Sequence, residues 1–216
     1  MPAPPDPPDL PADHSELDAA AGLDAAGLEL RRLEDVTLGE LRLPGVSLDA
    51  CVLERVSFAA ARLPSVELRD CLLDDCDLAN TDLRGARARR VRITSTRLMG
   101  AMLSDADLGE VELSDCRADL ASFATVQLDH ALLRGCDLSN SSWQNATVRE
   151  TVFDGCDFAG ADLSDARFHA VEMRGCKLEG IQGAESLRGV AMRWDDIVGS
   201  AGVFAAALGI EIADQG

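Results

Sequence analysis

Every fifth residue from Leu23 to Leu178 is apolar, and the phase never shifts over thirty-two consecutive units. Most of these residues are leucine, and a second stripe of small or β-branched residues precedes them by two positions, as in Val66 and Cys71. Only Arg31 and Leu41 interrupt the second stripe. No other feature of the chain constrains its fold as strongly.

A period of five matches neither the 3.6 residues of a helical turn nor the two-residue alternation of a long strand. Each unit must therefore combine a short extended piece with a turn. Residues two apart in the extended piece share a face, so the apolar residue and the small residue before it point inward together. Such a unit buries its apolar face only by stacking on its neighbours, which is typical of a solenoid.

The pattern resembles the pentapeptide repeat family, whose fold is a right-handed, quadrilateral parallel β-helix with four repeats per coil. The residues support four sides independently, because Cys116, Cys136, Cys156 and Cys176 recur at intervals of twenty. We therefore expect an all-β solenoid of about eight coils, about 38 Å long at the ~4.8 Å spacing of adjacent strands.

The repeat divides the chain into four segments. Residues 1–13 hold six of the eight prolines and are expected to be a disordered or polyproline tail, followed by an N-terminal cap, helical from about Ser15, over 14–22. The β-helix is expected over 23–180 and a C-terminal cap over 181–216.

The C-terminal cap carries an amphipathic helix pattern, with Asp195 or Asp196 to begin the helix, Gly209 to end it and one last strand expected over 210–212. This helix closes the open end of the solenoid, or it forms the contact of a homodimer. Its apolar positions are Ile197, Ala201, Phe204 and Leu208.

All seven cysteines fall at the small inward position, where a free thiol serves as a compact apolar residue. There is no CxxC motif and no histidine beside any cysteine, so the sequence predicts neither disulfides nor a metal site. The chain opens on no signal-like segment and holds no apolar run long enough to span a membrane. We expect a cytoplasmic protein with reduced thiols.

Six arginines form a basic belt in a chain whose net charge is −18. Residues 83–104 contain no acid, whereas the flanking segments are strongly acidic. Acidic surfaces keep a soluble rod monodisperse, and they repel nucleic acid from the belt, so we do not expect nucleic-acid binding. The belt residues are Arg84, Arg87, Arg89, Arg90, Arg92 and Arg97.

The family resemblance implies one defined activity, since some members bind DNA gyrase or topoisomerase IV by mimicking B-DNA. Residues 23–178 carry 27 acids and 18 bases. A duplex of the same length carries about 22 phosphates at one per ~1.7 Å. A net charge of −9 interleaved with arginine is a poor copy of DNA unless one face concentrates the acids.

The outward position before each inward leucine is normally polar, and four of its apolar exceptions, Val52, Leu72, Leu132 and Val152, differ by multiples of twenty. They share one side of the rod with Arg92 and Glu112. This side stripe is either ordinary strand surface or a binding face for a partner or a second copy.

No motif predicts catalysis or a cofactor. The three histidines are far apart in the sequence, and no glycine-rich phosphate loop follows a strand. Two hypotheses remain: a non-enzymatic interaction or scaffold module that binds an unidentified partner through a side of the acidic rod, and a DNA-mimicking regulator of a type II topoisomerase.

Overall fold

The computed structural model describes residues 2–10, 15–16, 27–29 and 31–211. Its strands, in chain order, are β1 (Ser15–Glu16), β2 (Leu28–Glu29), β3 (Arg31–Glu34), β4 (Ser47–Asp49), β5 (Val52–Glu54), β6 (Glu67–Asp74), β7 (Arg87–Thr94), β8 (Asp107–Ser114), β9 (Gln127–Asp129), β10 (Leu132–Arg134), β11 (Thr147–Arg149), β12 (Val152–Asp154), β13 (Arg167–His169), β14 (Glu172–Arg174) and β15 (Ala191–Met192).

Parallel pairing at an interval of twenty residues organises the whole rod. Between β2 and β14 each strand residue pairs with the residue twenty positions later, as Leu53 does with Leu73. Single bridges at the same interval, such as Ser57 with Asp77, link the coils on two further sides. Twenty residues thus complete one four-sided coil, and the chain is a parallel β-solenoid of about eight coils, as the repeat predicted.

The corners of the coil have a backbone conformation that the sequence analysis did not anticipate. Every residue at a multiple of five from Asp35 to Gly180 has positive φ, and eight of these thirty are glycine. The left-handed conformation costs other residues, such as Leu120 at φ 61°, about 1–2 kcal/mol each. Backbone hydrogen bonds between coils, such as Phe58 N–H to the Asp77 carbonyl at 2.7 Å, offset that cost.

The inward residues form one continuous apolar column, but its two halves are packed differently. In the C-terminal half Phe123, Trp143, Phe153 and Phe158 are nearly inaccessible and contact one another through their rings. The N-terminal half contains an apolar cavity of about 70 Å³, lined mostly by leucines and by Ala88. Ala88 is one of the small side chains that line the cavity, at an inward position that is leucine or phenylalanine in most repeats.

Substituting Ala88→Leu is expected to raise the free energy of unfolding by about 0.5–2 kcal/mol, because the new side chain fills the cavity. The matched control is Ala118→Leu, at the same repeat position, fully buried and not among the residues that line the cavity. It is expected to destabilise by about 1–3 kcal/mol through overpacking. Denaturant unfolding of both variants checks the pair; equal effects would contradict the cavity.

The N-terminal segment, expected as a disordered or polyproline tail, is described over residues 2–10. Residues 2–10 lie against the rod, and the Asp9 N–H donates a hydrogen bond to the Asp70 carboxylate at 2.9 Å. Ser15 and Glu16, expected to begin a helical cap, instead form β1 and pair with β3. The rest of the predicted cap lies outside the described residues.

The C-terminal cap contains a 3-10 helix (Ala184–Leu187) and two short helices, α1 (Trp194–Gly199) and α2 (Ala201–Ala207). The prediction of one amphipathic helix is therefore wrong, since α1 ends at Gly199 beside the poor helix-forming residue Ser200. Asp195 and Asp196 lie in the first turn of α1, and Arg193 occupies the capping position.

The end of the cap is also irregular. Gly209, at φ 70°, closes the C-terminal turn of α2 as expected. Ile210 and Glu211 are not in a strand, and Ile212 lies outside the described residues. Of the helices within the described ranges, none is both long and apolar enough to cross a bilayer.

Candidate functional site

The structure places the six residues of the side stripe next to one another on successive coils. Their order follows the strand register from Val52 through Leu72, Arg92, Glu112 and Leu132 to Val152. Val52 and Val152 are only 8% exposed, and Leu72 and Leu132 are half-buried. The stripe therefore offers little free apolar surface.

The two charged residues in the middle of the side stripe, Arg92 and Glu112, form an ion pair with each other. Arg92 Nε lies 2.8 Å from a carboxylate oxygen of Glu112 on the next coil. Both side chains lie partly exposed, so this ion pair contributes at most about 1 kcal/mol. It nevertheless removes the free charge that a partner would otherwise meet.

All six belt arginines are paired with a carboxylate. Their side chains are 36% to 65% exposed. Four of the six pairs join residues twenty apart, so coil stacking itself brings them together. The pairs are Arg84 with Asp82, Arg87 with Glu67, Arg89 with Asp107, Arg90 with Asp70, Arg92 with Glu112 and Arg97 with Asp77.

Pairing in the belt neutralises acids as well as arginines. The Arg90 guanidinium donates two hydrogen bonds to the Asp70 carboxylate and lowers the pKa of that carboxyl below its ordinary value. Arg84 lowers the pKa of Asp82 in the same way. These carboxylates stay ionised near neutral pH, but their charge is compensated locally, so the belt is not a free cationic surface.

The C-terminal cap presents the largest exposed apolar group in the described residues. Neither α1 nor α2 contains a buried residue. Of the four predicted helix residues, Phe204 packs partly against the core, whereas Ile197, Ala201 and Leu208 are exposed. We call the exposed large side chains here the cap patch: Trp194, Ile197, Val198, Leu208 and Ile210.

The seven cysteines are buried and unpaired by disulfides. Cys136 is typical, since its thiol lies 3.5 Å from the Leu113 carbonyl of the preceding coil. Burial raises the pKa of the Cys76 thiol to about 11. The raised pKa keeps the Cys76 thiol protonated at neutral pH, and burial shields the other six thiols from reagents in solution.

We expect no cysteine of the native protein to react with a water-soluble thiol reagent, because all seven thiols are buried and inaccessible. After denaturation all seven should react. Mass spectrometry of the labelled protein counts the adducts. Rapid labelling of two or more cysteines before unfolding would contradict the inward register.

No constellation in the described part of the chain is suited to catalysis. Within those residues no three metal-ligating side chains converge. His130 contacts Asp129 and Glu150 at 3.1 and 2.8 Å on the surface, His169 is exposed, and His14 lies outside the described residues. The core cavity has no polar lining atom, so it offers nothing to activate a substrate.

Sequence reasoning missed one structural feature, the contact of the N-terminal segment with the rod at Asp70. A signal was present, because Pro2, Pro5 and Pro8 are spaced by three. That spacing equals one turn of a polyproline II helix and places the three prolines on one face. Asp70, which accepts the hydrogen bond from Asp9, lies 61 residues further along the chain, and no local pattern identifies it.

Comparison with known proteins agrees with the architecture. The family model "Pentapeptide repeat region" matches residues 66–143, and "Pentapeptide repeats (9 copies)" matches residues 128–177. A search of curated proteins found no match.

The search of solved structures found matches to pentapeptide repeat proteins, of which two forms of QnrB1 share the fold. The full-length form of QnrB1, a plasmid-mediated fluoroquinolone resistance protein, is 19% identical over 90% of this chain and 95% of that one, with a TM-score of 0.54. A trypsin-treated form of QnrB1 is 20% identical over 92% of this chain and 95% of that one, with a TM-score of 0.55. HetL, a regulator of heterocyst differentiation from Nostoc sp. strain PCC 7120, is 22% identical over 80% and 93%, with a TM-score of 0.42.

The two family models together span residues 66–177, more than half of the chain. They match the same twenty-residue coils that the strand register builds. The chain therefore belongs to the pentapeptide repeat family.

Proposed function

We propose that the protein is a non-enzymatic interaction module that binds a second copy of itself through the cap patch. The observation that carries this proposal is the distribution of exposed apolar side chains. Among the described residues seven large apolar side chains are exposed, and five of them belong to the cap patch. The other two, Met102 and Leu120, lie on the body of the rod.

Physical reasons favour the cap patch over the side stripe as the contact. Trp194 is 75% exposed and Leu208 is 76% exposed, whereas no residue of the side stripe is fully exposed. Trp194, Ile197 and Val198 share one face of α1 because they are three and four positions apart. Exposed apolar groups of this kind mark association sites, and aromatic anchors contribute strongly to interfaces. Contact between two identical patches forms a closed two-fold dimer, which is the commonest oligomer.

The test compares charge substitutions inside and outside the cap patch. We expect light scattering after size-exclusion chromatography to give a dimer for the native chain and a monomer for the double variant Val198→Glu, Leu208→Glu. The matched control, Met102→Glu with Leu120→Glu, introduces the same charge at exposed apolar sites on the body and should remain dimeric. A native chain that stays monomeric throughout the micromolar range would overturn the proposal.

Regulation of a type II topoisomerase is the second candidate function. It is supported by the net charge of −18 and by the fold shared with QnrB1, which is described as a fluoroquinolone resistance protein. The pairing of belt arginines with acids on the same or adjacent coils weighs against it, because the acids do not form one uncompensated face.

A DNA gyrase supercoiling assay, with and without a fluoroquinolone, tests the second candidate. Binding by carboxylates in place of phosphates should weaken steeply between ~50 and ~200 mM salt. Supercoiling that is unchanged by excess protein at low salt would exclude regulation of gyrase. Inhibition of gyrase, or protection of gyrase from the fluoroquinolone, that disappears at higher salt would favour topoisomerase regulation over simple self-association.

A cytoplasmic location remains part of the proposal. It is supported by the seven free thiols, since disulfides form and persist mainly in oxidising compartments.

A further inference from the structure

The N-terminal segment contacts the rod at two widely separated places. Near its end, Asp9 donates its N–H to Asp70, and the charge of Asp9 also acts on Arg90. At its start, Pro2 and Ala3 line a surface pocket near the last coils. The other residues of that pocket are Glu150, Ala170, Val171, Glu172, Gly189 and Ala191.

The distance between the two contacts determines the conformation of the segment. Asp70 and Ala170 occupy the same corner five coils apart, or about 24 Å at ~4.8 Å per coil. The seven residue steps from Pro2 to Asp9 span about 22 Å in polyproline II, at ~3.1 Å per residue. An α-helix of that length would span only about 10 Å. Only an extended, polyproline-like segment can make both contacts.

Exposure along the segment has the same three-residue period. Pro2, Pro5 and Pro8 are half-buried, whereas every residue between them is exposed. Polyproline II has three residues per turn, so these three prolines lie on one face. That face is turned toward the rod.

The corner that the segment follows is covered over most of the path. Asp70 is buried, Arg90, Glu110 and His130 are half-buried, and the two corner residues nearest the start of the segment, at 150 and 170, are exposed. The next corner of the coil, from Asp35 to Gly175, is exposed in every coil. The side stripe adjoins the covered corner, and its residues Leu72 and Leu132 are half-buried.

We propose that this side of the rod is a docking groove for a proline-rich segment in the polyproline II conformation, and that its resident ligand is residues 2–10 of the same chain. Pro2, Pro5 and Pro8 contact the groove, and the hydrogen bond from Asp9 to Asp70 sets the register. The segment closes the side stripe to other partners.

Chain connectivity makes weak contacts sufficient for docking. Only four residues separate Leu10 from Ser15, which β1 fixes to the rod. A short tether of this kind holds a ligand at millimolar effective concentration. Prolines also lose little conformational entropy on docking, because their φ is already fixed.

The test measures the mobility of the segment in the full chain. A fluorophore is attached to Ala3→Cys, the native thiols being buried, and its steady-state anisotropy is recorded. We expect the double variant Pro5→Gly, Pro8→Gly to lower the anisotropy to that of the free labelled peptide. The matched control Pro4→Gly, Pro7→Gly removes the same chain stiffness from exposed positions and should keep most of the anisotropy.

Substitutions in the groove test the other side of the contact. Leu72→Glu with Leu132→Glu should release the segment, while Met102→Glu with Ser142→Glu, on another side of the rod, should not. Circular dichroism confirms that each variant keeps the native melting transition. Equal effects of the two proline pairs, or free-peptide anisotropy in the native chain, would overturn the proposal. In the background of the monomeric double variant Val198→Glu, Leu208→Glu, anisotropy that rises with protein concentration would assign the segment to a second copy and overturn docking within one chain.

Discussion

Replacing Trp143 with alanine is expected to lower the free energy of unfolding by about 3–5 kcal/mol. Trp143 is 1% exposed, and its ring stacks on Phe123 with centroids 4.3 Å apart and meets Phe153 edge-on at 5.8 Å. Its indole N–H donates a hydrogen bond to the Ser141 hydroxyl at 2.9 Å. Truncation removes all three interactions and leaves a cavity.

The solenoid cannot easily repair that cavity, because each coil contacts only its neighbours and both are fixed by strand pairing. Denaturant unfolding followed by circular dichroism measures the loss. The control Leu120→Ala removes an equally apolar but 61% exposed side chain, and should change stability by less than about 0.5 kcal/mol. Similar values for the two variants would show that the aromatic column does not stabilise the rod.

Substituting Gly183→Ala is expected to cost about 2–4 kcal/mol, combining left-handed strain with overpacking. Gly183 has φ 70°, and a β-carbon there would lie 2.5 Å from the Ser164 backbone nitrogen. No flexible side chain can move aside, since the obstructing atoms belong to the backbone of the coil beneath. Gly183 is the N-cap residue of the 3-10 helix, and Leu187 of that helix is buried against the end of the core.

Gly175→Ala is the matched control for Gly183→Ala. Gly175 also has positive φ, at 57°, but a β-carbon there would meet no atom within 4 Å. Its substitution should cost no more than the strain that many other corner residues already bear. Thermal and denaturant unfolding of both variants separate close approach from backbone conformation. A Gly175→Ala loss as large as that of Gly183→Ala would contradict the steric explanation.

The coil was predictable from sequence because the interactions that build it are local. Leu53 and Leu73 point inward for the same reason, and each needs only the coil above and below it. Some ion pairs of the belt could also be predicted from the sequence, since Glu67 with Arg87 and Asp77 with Arg97 follow from the twenty-residue coil. Their consequence, that the belt is not a free basic surface, required the side-chain geometry.

The candidate sites were less predictable. The side stripe follows from the register, but the burial of its residues is visible only in the tertiary structure. The sequence predicted one continuous helix in the C-terminal cap. The structure has two helices that meet at Ser200, and Ile197 and Leu208 are exposed. Periodicity identifies which residues share a face, but it does not state whether that face meets protein or solvent.

The amino-acid sequence by itself determined the solenoid, its twenty-residue coil and the inward position of the cysteines, because a five-residue period has one way to bury its apolar residues. Only the tertiary structure decided the left-handed corners, the cavity beside Ala88 and the placement of residues 2–10. The contact from Asp9 to Asp70 joins residues 61 positions apart. Its free energy depends on a surface that exists only after the coils have stacked, so no local pattern encodes it.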